Sequence, residues 1–65
     1  MNENLIKALD RALNANMMLA EAYEDEMVKA MNANNPAVFQ YYESLRTELV
    51  GVIMAIDNEI QKLKG

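Results

Sequence analysis

The amino-acid sequence predicts an all-α protein in which two long amphipathic α-helices form an antiparallel hairpin. Apolar residues recur with the helical period on both sides of one short segment that contains Asn and Pro. The 65 residues include one proline and two glycines, so few positions interrupt a helix. Hydrophobic residues make up 52% of the chain, a fraction too high for a disordered protein. We therefore expect one folded domain, residues 1–65.

The first predicted helix spans residues 3–33. Its polar residues, among them Lys7, Asp10 and Arg11, lie opposite a continuous apolar face. This separation is typical of a helix that buries one side. The apolar face is formed by Leu5, Ile6, Leu9, Ala12, Leu13, Met17, Leu19, Ala20, Tyr23, Met27, Ala30 and Met31.

The predicted turn is residues 34–35. Asn34 tolerates the left-handed backbone conformation that commonly ends a helix. Pro36 disfavours the helical conformation at Asn35, which then suits the N-cap of the second helix, with Pro36 at the first helical position. So short a loop makes the two helices antiparallel neighbours.

The second predicted helix spans residues 36–64. Lys62 and Lys64 lie at its C-terminal end, where the helix dipole favours cations. Gly51 lies off the apolar face and weakens the helix unless it has a packing role. The apolar face is formed by Val38, Tyr41, Tyr42, Leu45, Leu49, Val52, Ile53, Ile56, Ile60 and Leu63.

Two helices alone leave much of both apolar faces uncovered, and chains of this size often oligomerise for that reason. We expect either a homodimer that forms a four-helix bundle with coiled-coil packing, or a hairpin that folds against another helical protein. Asn16 interrupts the apolar face; it either fixes the register of the oligomer or marks a hydrated position. The predicted oligomer core is Leu9, Leu13, Asn16, Tyr23, Met27, Leu45, Leu49, Val52 and Ile56.

Two further groups of residues are candidate partner-binding sites. On the second helix, Phe39, Val50, Ile53 and Met54 form either a contact surface for a partner or ordinary exposed apolar positions. On the first helix, the acidic cluster is either a solvated face or a docking site for a basic partner. This cluster consists of Glu21, Glu24, Asp25 and Glu26.

The sequence offers no catalytic, cofactor-binding or metal site, and we expect a protein that is not an enzyme. It contains no histidine and no cysteine, so the usual general base and thiol nucleophile are missing. The net charge of −4 disfavours nucleic-acid binding. No apolar run approaches the roughly 20 residues of a membrane span, and the polar N-terminal residues do not resemble a signal peptide. These features predict a cytoplasmic protein with no membrane partner.

The chain resembles the small helical-hairpin chaperones of type III secretion needle subunits. The likeness lies in chain length, hairpin layout and the run Val38-Phe39-Gln40-Tyr41-Tyr42, followed by Leu49, Ile53, Ile56 and Leu63. It implies a cytosolic protein that covers an aggregation-prone helical subunit, usually together with a second chaperone.

Two other small hairpins are also similar. One is the dimeric hairpin that modulates pairing of plasmid-control RNAs, which matches in length, acidity and expected dimer architecture. Similar hairpins also occur among phage proteins that inhibit host factors. We therefore expect a bacterial or phage protein that works as a protein-interaction module (an adaptor, chaperone or inhibitor), with an RNA-binding dimer as the alternative.

Overall fold

The computed structural model describes residues 2–65 and contains two α-helices. Helix α1 spans Glu3–Asn32 and helix α2 spans Pro36–Lys64. The helices pack side by side in a rod that measures 51 × 14 × 12 Å. The prediction of two packed helices is confirmed, and the described residues contain no strand. Helix α1 ends one residue before the predicted boundary at residue 33.

The turn ends α1 with two hydrogen bonds between backbone groups. The Asn34 N–H donates to the carbonyl oxygen of Met31 (3.0 Å), and the Asn35 N–H donates to that of Ala30 (2.8 Å). This pattern is a Schellman motif, which requires a left-handed residue after the helix. Asn34 fills that position with a φ of 56°. An asparagine is accepted there because its short polar side chain tolerates positive φ better than most residues.

Asn35, the last residue of the Schellman motif, is also the N-cap of α2. Its side-chain oxygen accepts a hydrogen bond from the Val38 N–H at 3.3 Å, and Pro36 occupies the first turn of the helix. The proline costs nothing there because the N–H that it lacks would have no helical partner. One short segment therefore ends α1 and starts α2, which fixes the helices as antiparallel neighbours.

The two helices meet along a seam whose residues are spaced alternately three and four apart. This is the heptad spacing of a coiled coil. Every seam residue is buried or half-buried. The α1 positions are Ile6, Leu9, Leu13, Asn16, Ala20, Tyr23, Met27 and Ala30. The α2 positions are Phe39, Tyr42, Arg46, Leu49, Ile53, Ile56, Ile60 and Leu63.

Complete burial is rare even in the seam. Among residues 2–65, the buried core consists of Ala30, Leu49 and Ile60. Tyr23 and Tyr42 pack across the seam with ring centroids 6.0 Å apart, and Tyr41 meets Tyr42 edge-on at 5.1 Å. The hairpin is thus held by a narrow line of apolar contacts with an aromatic group in its turn-proximal half.

Gly51 provides a direct test of how open the outer surface of α2 is. A Cβ atom added at Gly51 would meet no atom within 4 Å. We expect Gly51→Ala to raise the free energy of unfolding by about 1 kcal/mol, because alanine favours the helix over glycine. Thermal unfolding followed by circular dichroism measures this. A lower melting temperature would show instead that another chain approaches the helix closely at this position.

Candidate interaction surfaces

The hairpin exposes more surface than a compact protein of its size. Its accessible area is 4958 Å², whereas a compact chain of 7.4 kDa exposes about 4,200 Å². The Cα radius of gyration is 14.9 Å, compared with about 11 Å for a compact 65-residue domain. Many large apolar side chains lie on this surface.

The seam divides the outer surface into two sides. Each heptad has two seam residues. In an antiparallel coiled coil, the residues just before the first seam residue lie on one side of the seam in both helices, and the residues just after the second seam residue lie on the other side. The first side, which we call the apolar side, carries Leu5, Ala8, Ala12, Ala15, Leu19 and Ala22 of α1 with Val38, Tyr41, Leu45, Val52 and Ala55 of α2, and it also includes the exposed carboxylate of Glu48. The second, the acidic side, carries Asp10, Met17, Glu21, Glu24, Val28 and Met31 of α1 with Glu43, Val50, Met54 and Asp57 of α2, and it has Lys7 and Lys64 at the end far from the turn.

Most residues of the predicted oligomer core lie in the seam inside a single hairpin. Leu45 is half-buried beside the seam, on the apolar side. Val52 is 48% exposed and belongs to the same side. The core residues that the seam contains are Leu9, Leu13, Asn16, Tyr23, Met27, Leu49 and Ile56.

The four predicted partner-binding residues are divided between two environments. Phe39 and Ile53 are half-buried in the seam. Val50 and Met54 are exposed on the acidic side, with Met54 61% exposed. Only Val50 and Met54 are therefore free, within the described hairpin, to form a contact surface together.

Asn16 occupies a seam position and bonds within its own helix. Its side-chain Nδ2 donates to the Ala12 carbonyl oxygen at 2.7 Å. This local bond satisfies part of the amide group, so the asparagine is accommodated without a polar partner on α2. It also replaces an apolar contact in the middle of the seam, which lowers the stability of the hairpin.

The acidic cluster is partly neutralised by cations of the same chain. Glu24 Oε1 accepts a hydrogen bond from Arg46 Nε at 2.9 Å, and this ion pair joins the two helices. Glu26 Oε1 accepts from Lys29 Nζ at 3.1 Å within α1. Both pairs are largely exposed, so each contributes less than about 1 kcal/mol. Glu21 and Asp25 are exposed on the outer surface of α1.

An open depression of about 310 Å³ lies where the helices meet the turn. Its wall combines apolar side chains with the two turn asparagines, and none of its lining residues is charged at neutral pH. The lining residues are Ala30, Met31, Asn34, Asn35, Pro36 and Phe39. This chemistry suits apolar contact better than ion binding or catalysis.

Two features were missed by the sequence reasoning. Arg46 occupies a seam position, although the helical-face assignment placed no charged residue there. The alanines that recur at seven-residue intervals on the apolar side were not recognised as one series. A search for strict three-four spacing on both sides of the main face would have found them, because Ala8, Ala15 and Ala22 recur every seven residues.

Comparison with known proteins adds no assignment. No protein-family model matches the sequence, and neither a curated protein nor a solved structure matches it. Within residues 2–65, neither helix is long and apolar enough to cross a bilayer. The same residues contain no group of three acidic, histidine or cysteine side chains placed to bind a metal ion.

Replacing Asn16 tests the cost of the polar position in the seam. We expect Asn16→Leu to raise the free energy of unfolding by about 1 to 2 kcal/mol, because the leucine buries apolar surface between the helices. The measurement is denaturant unfolding with light-scattering mass at each stage. Asn14→Leu, an exposed position two residues earlier, is the matched control. If Asn16→Leu is less stable than the unchanged chain, the asparagine makes a contact that the single hairpin does not contain.

Proposed function

We propose that the protein is a non-enzymatic interaction module that binds other helices through its exposed apolar surfaces. One observation carries the proposal: within residues 2–65, the hairpin leaves eleven large apolar side chains exposed, whereas its buried core comprises three residues. Exposed apolar surface on this scale marks binding sites for other proteins. The exposed residues are Leu5, Met17, Met18, Leu19, Val28, Met31, Val38, Tyr41, Val50, Val52 and Met54.

The acidic side is the proposed site for a different protein. Met17, Val50 and Met54 are exposed there among carboxylates that include Glu24 and Asp57. Methionine is flexible and polarisable, so it adapts to varied apolar partners. Surrounding carboxylates favour a partner that flanks its apolar anchors with lysine or arginine. An amphipathic helix with basic edges fits this surface, in the manner of helix-in-groove recognition.

Because the chain resembles the secretion-needle chaperones, the proposed role is that of a chaperone for a helical client. A chaperone of that kind covers an apolar helix of its client, and the acidic side provides an apolar centre with a charged rim for this purpose. An inhibitor of a bacterial or phage process would use the same contacts. The proposal also includes a cytoplasmic location, with which the cysteine-free sequence is compatible.

Self-association into a homodimer and a four-helix bundle is the second part of the proposal. The accessible area of the hairpin is larger than that of a compact protein of the same mass, and this difference supports the proposal. Contact with a second copy would reduce the exposed area per unit mass toward the ordinary value. Two hairpins would thereby gain the interior that one hairpin lacks.

Met54→Lys tests the client-binding surface. The side chain is exposed, so we expect the melting temperature to change by less than a few degrees. We expect recovery of the bound protein from extracts of the source cells to fall at least tenfold, because a lysine head group would face the apolar anchor of the partner. Asn58→Lys, with the same change in charge on an outward position of α2, is the matched control and should retain the partner.

The recovery of bound protein from cell extracts should be measured again after the extracts are treated with nuclease. Recovery that is lost with nuclease, together with salt-dependent retention of RNA, would replace the proposal with the RNA-binding alternative. Equal recovery by Met54→Lys and the unchanged protein would remove the acidic side as the client site.

A further inference from the structure

We propose that the acidic side binds one helix of a different protein, in which an apolar residue has a lysine or arginine seven positions before it and another seven positions after it. The inference rests on the proposed client binding and adds the pattern by which the client is recognised. It follows from the order of residues along the acidic side, where an apolar layer lies between two layers of carboxylates.

The residues just after the second seam residue recur every seven positions on both helices. Because the helices are antiparallel and a short turn joins them, residues about equally far from the turn lie beside each other. These residues therefore form layers along the rod, and all of them are exposed. From the far end toward the turn, the layers are Asp10 with Asp57, Met17 with Val50, and Glu24 with Glu43.

The middle layer is the proposed site for the apolar anchor of the partner. Met17 is 47% exposed, and Met54, one helical turn from Val50, is 61% exposed. At about 1.5 Å per residue, a carboxylate layer lies roughly 10 Å to each side of this patch. A helix that lies along the acidic side would place the residues seven positions from its anchor beside these carboxylates.

The carboxylate layers place like charges on the two helices. Coiled coils often have opposite charges at such flanking positions, where they form salt bridges between helices. In the layer nearer the turn, Arg46 donates a hydrogen bond to Glu24 at 2.9 Å. Neither Asp10 nor Asp57 forms an ion pair with another of residues 2–65. A lysine or arginine of the partner would supply the cation that the far layer lacks.

The charge and spacing of the layers favour one kind of occupant. Carboxylates repel nucleic acids and anionic lipids. A second copy of this chain lacks the required pattern, because no two of its lysine and arginine residues are fourteen positions apart. A helix of another protein with two cations at this spacing complements both carboxylate layers and the patch between them.

The two ends of the acidic side give the bound helix a direction. Val28 and Met31 are exposed near the turn, whereas Lys7 and Lys64 lie at the far end. The partner would therefore continue with apolar residues beyond one of its cations and with acidic residues beyond the other.

A synthetic helix tests the spacing. The probe is an alanine-rich peptide of three heptads, with leucine in the middle heptad and lysine seven positions before and after it. The comparison peptide has the same composition, with both lysines moved to the opposite face of the helix. We expect the probe to bind the unchanged protein roughly tenfold more tightly, measured by fluorescence anisotropy. Equal affinity of the two peptides, or binding of neither, would overturn the inference.

Charge reversal of the far layer tests the residues. In Asp10→Lys/Asp57→Lys, the probe should bind roughly tenfold more weakly. A peptide with glutamate in place of one lysine should bind this variant more tightly than it binds the unchanged protein, a gain that an unfolded variant would not show. The matched control, Asp25→Lys/Glu48→Lys, makes the same change in net charge at exposed residues outside the acidic side. It should keep the affinities of the unchanged protein, and the same affinities in Asp10→Lys/Asp57→Lys would show that this layer does not recognise the cations.

The possible results separate this inference from the proposed function. If Met54→Lys loses its client but the two peptides bind equally, client binding stands and the spacing is wrong. If Met54→Lys keeps its client, the client surface is wrong, and the inference is wrong with it. If the unchanged chain has twice the mass of 7.4 kDa and Met54→Lys restores the single mass, a second copy occupies the acidic side, which also overturns the inference.

Discussion

Two packed helices share a line of contact and enclose no interior, and the organisation of this protein follows from that geometric constraint. Each helix can turn only one narrow stripe toward the other, so a seam of alternating three- and four-residue spacing uses all the contact that a hairpin offers. Even there, only Ala30, Leu49 and Ile60 are buried among residues 2–65. Most apolar residues outside the seam are exposed, where they lower solubility unless another chain covers them.

The sequence distributes its remaining apolar residues unequally between the two sides of the seam. The apolar side of α1 has no charge between Leu5 and Ala22, whereas the acidic side mixes methionine and valine with carboxylates. The first pattern resembles a subunit interface core, from which charged residues are depleted, and the second resembles a rim or a transient binding site. This difference is the physical basis for proposing that self-association and client binding use different surfaces.

The helices and the turn could be predicted because their signals are local. Asn34, Asn35 and Pro36 act through backbone conformation and capping, which depend on residues close in sequence. The division of apolar residues between seam and outer surface could not be predicted from a helical face of broad width, which merges Leu9 of the seam with exposed Leu19. Arg46 in the seam was also missed, because its charge is accommodated by Glu24 on the other helix, a contact between residues distant in sequence.

The polar residues of the seam show why folding and association would be coupled in this protein. Asn16 and Arg46 occupy positions where leucine would bury more apolar surface, so the hairpin is less stable along the contact between its two helices than an all-apolar seam would make it. The half-exposed ion pair between Arg46 and Glu24 stabilises the hairpin by less than about 1 kcal/mol. A ligand or second subunit that binds only the folded hairpin would add its binding free energy to that small margin. The polar positions in the seam and the uncovered apolar side therefore both favour the proposal that another chain packs against the hairpin.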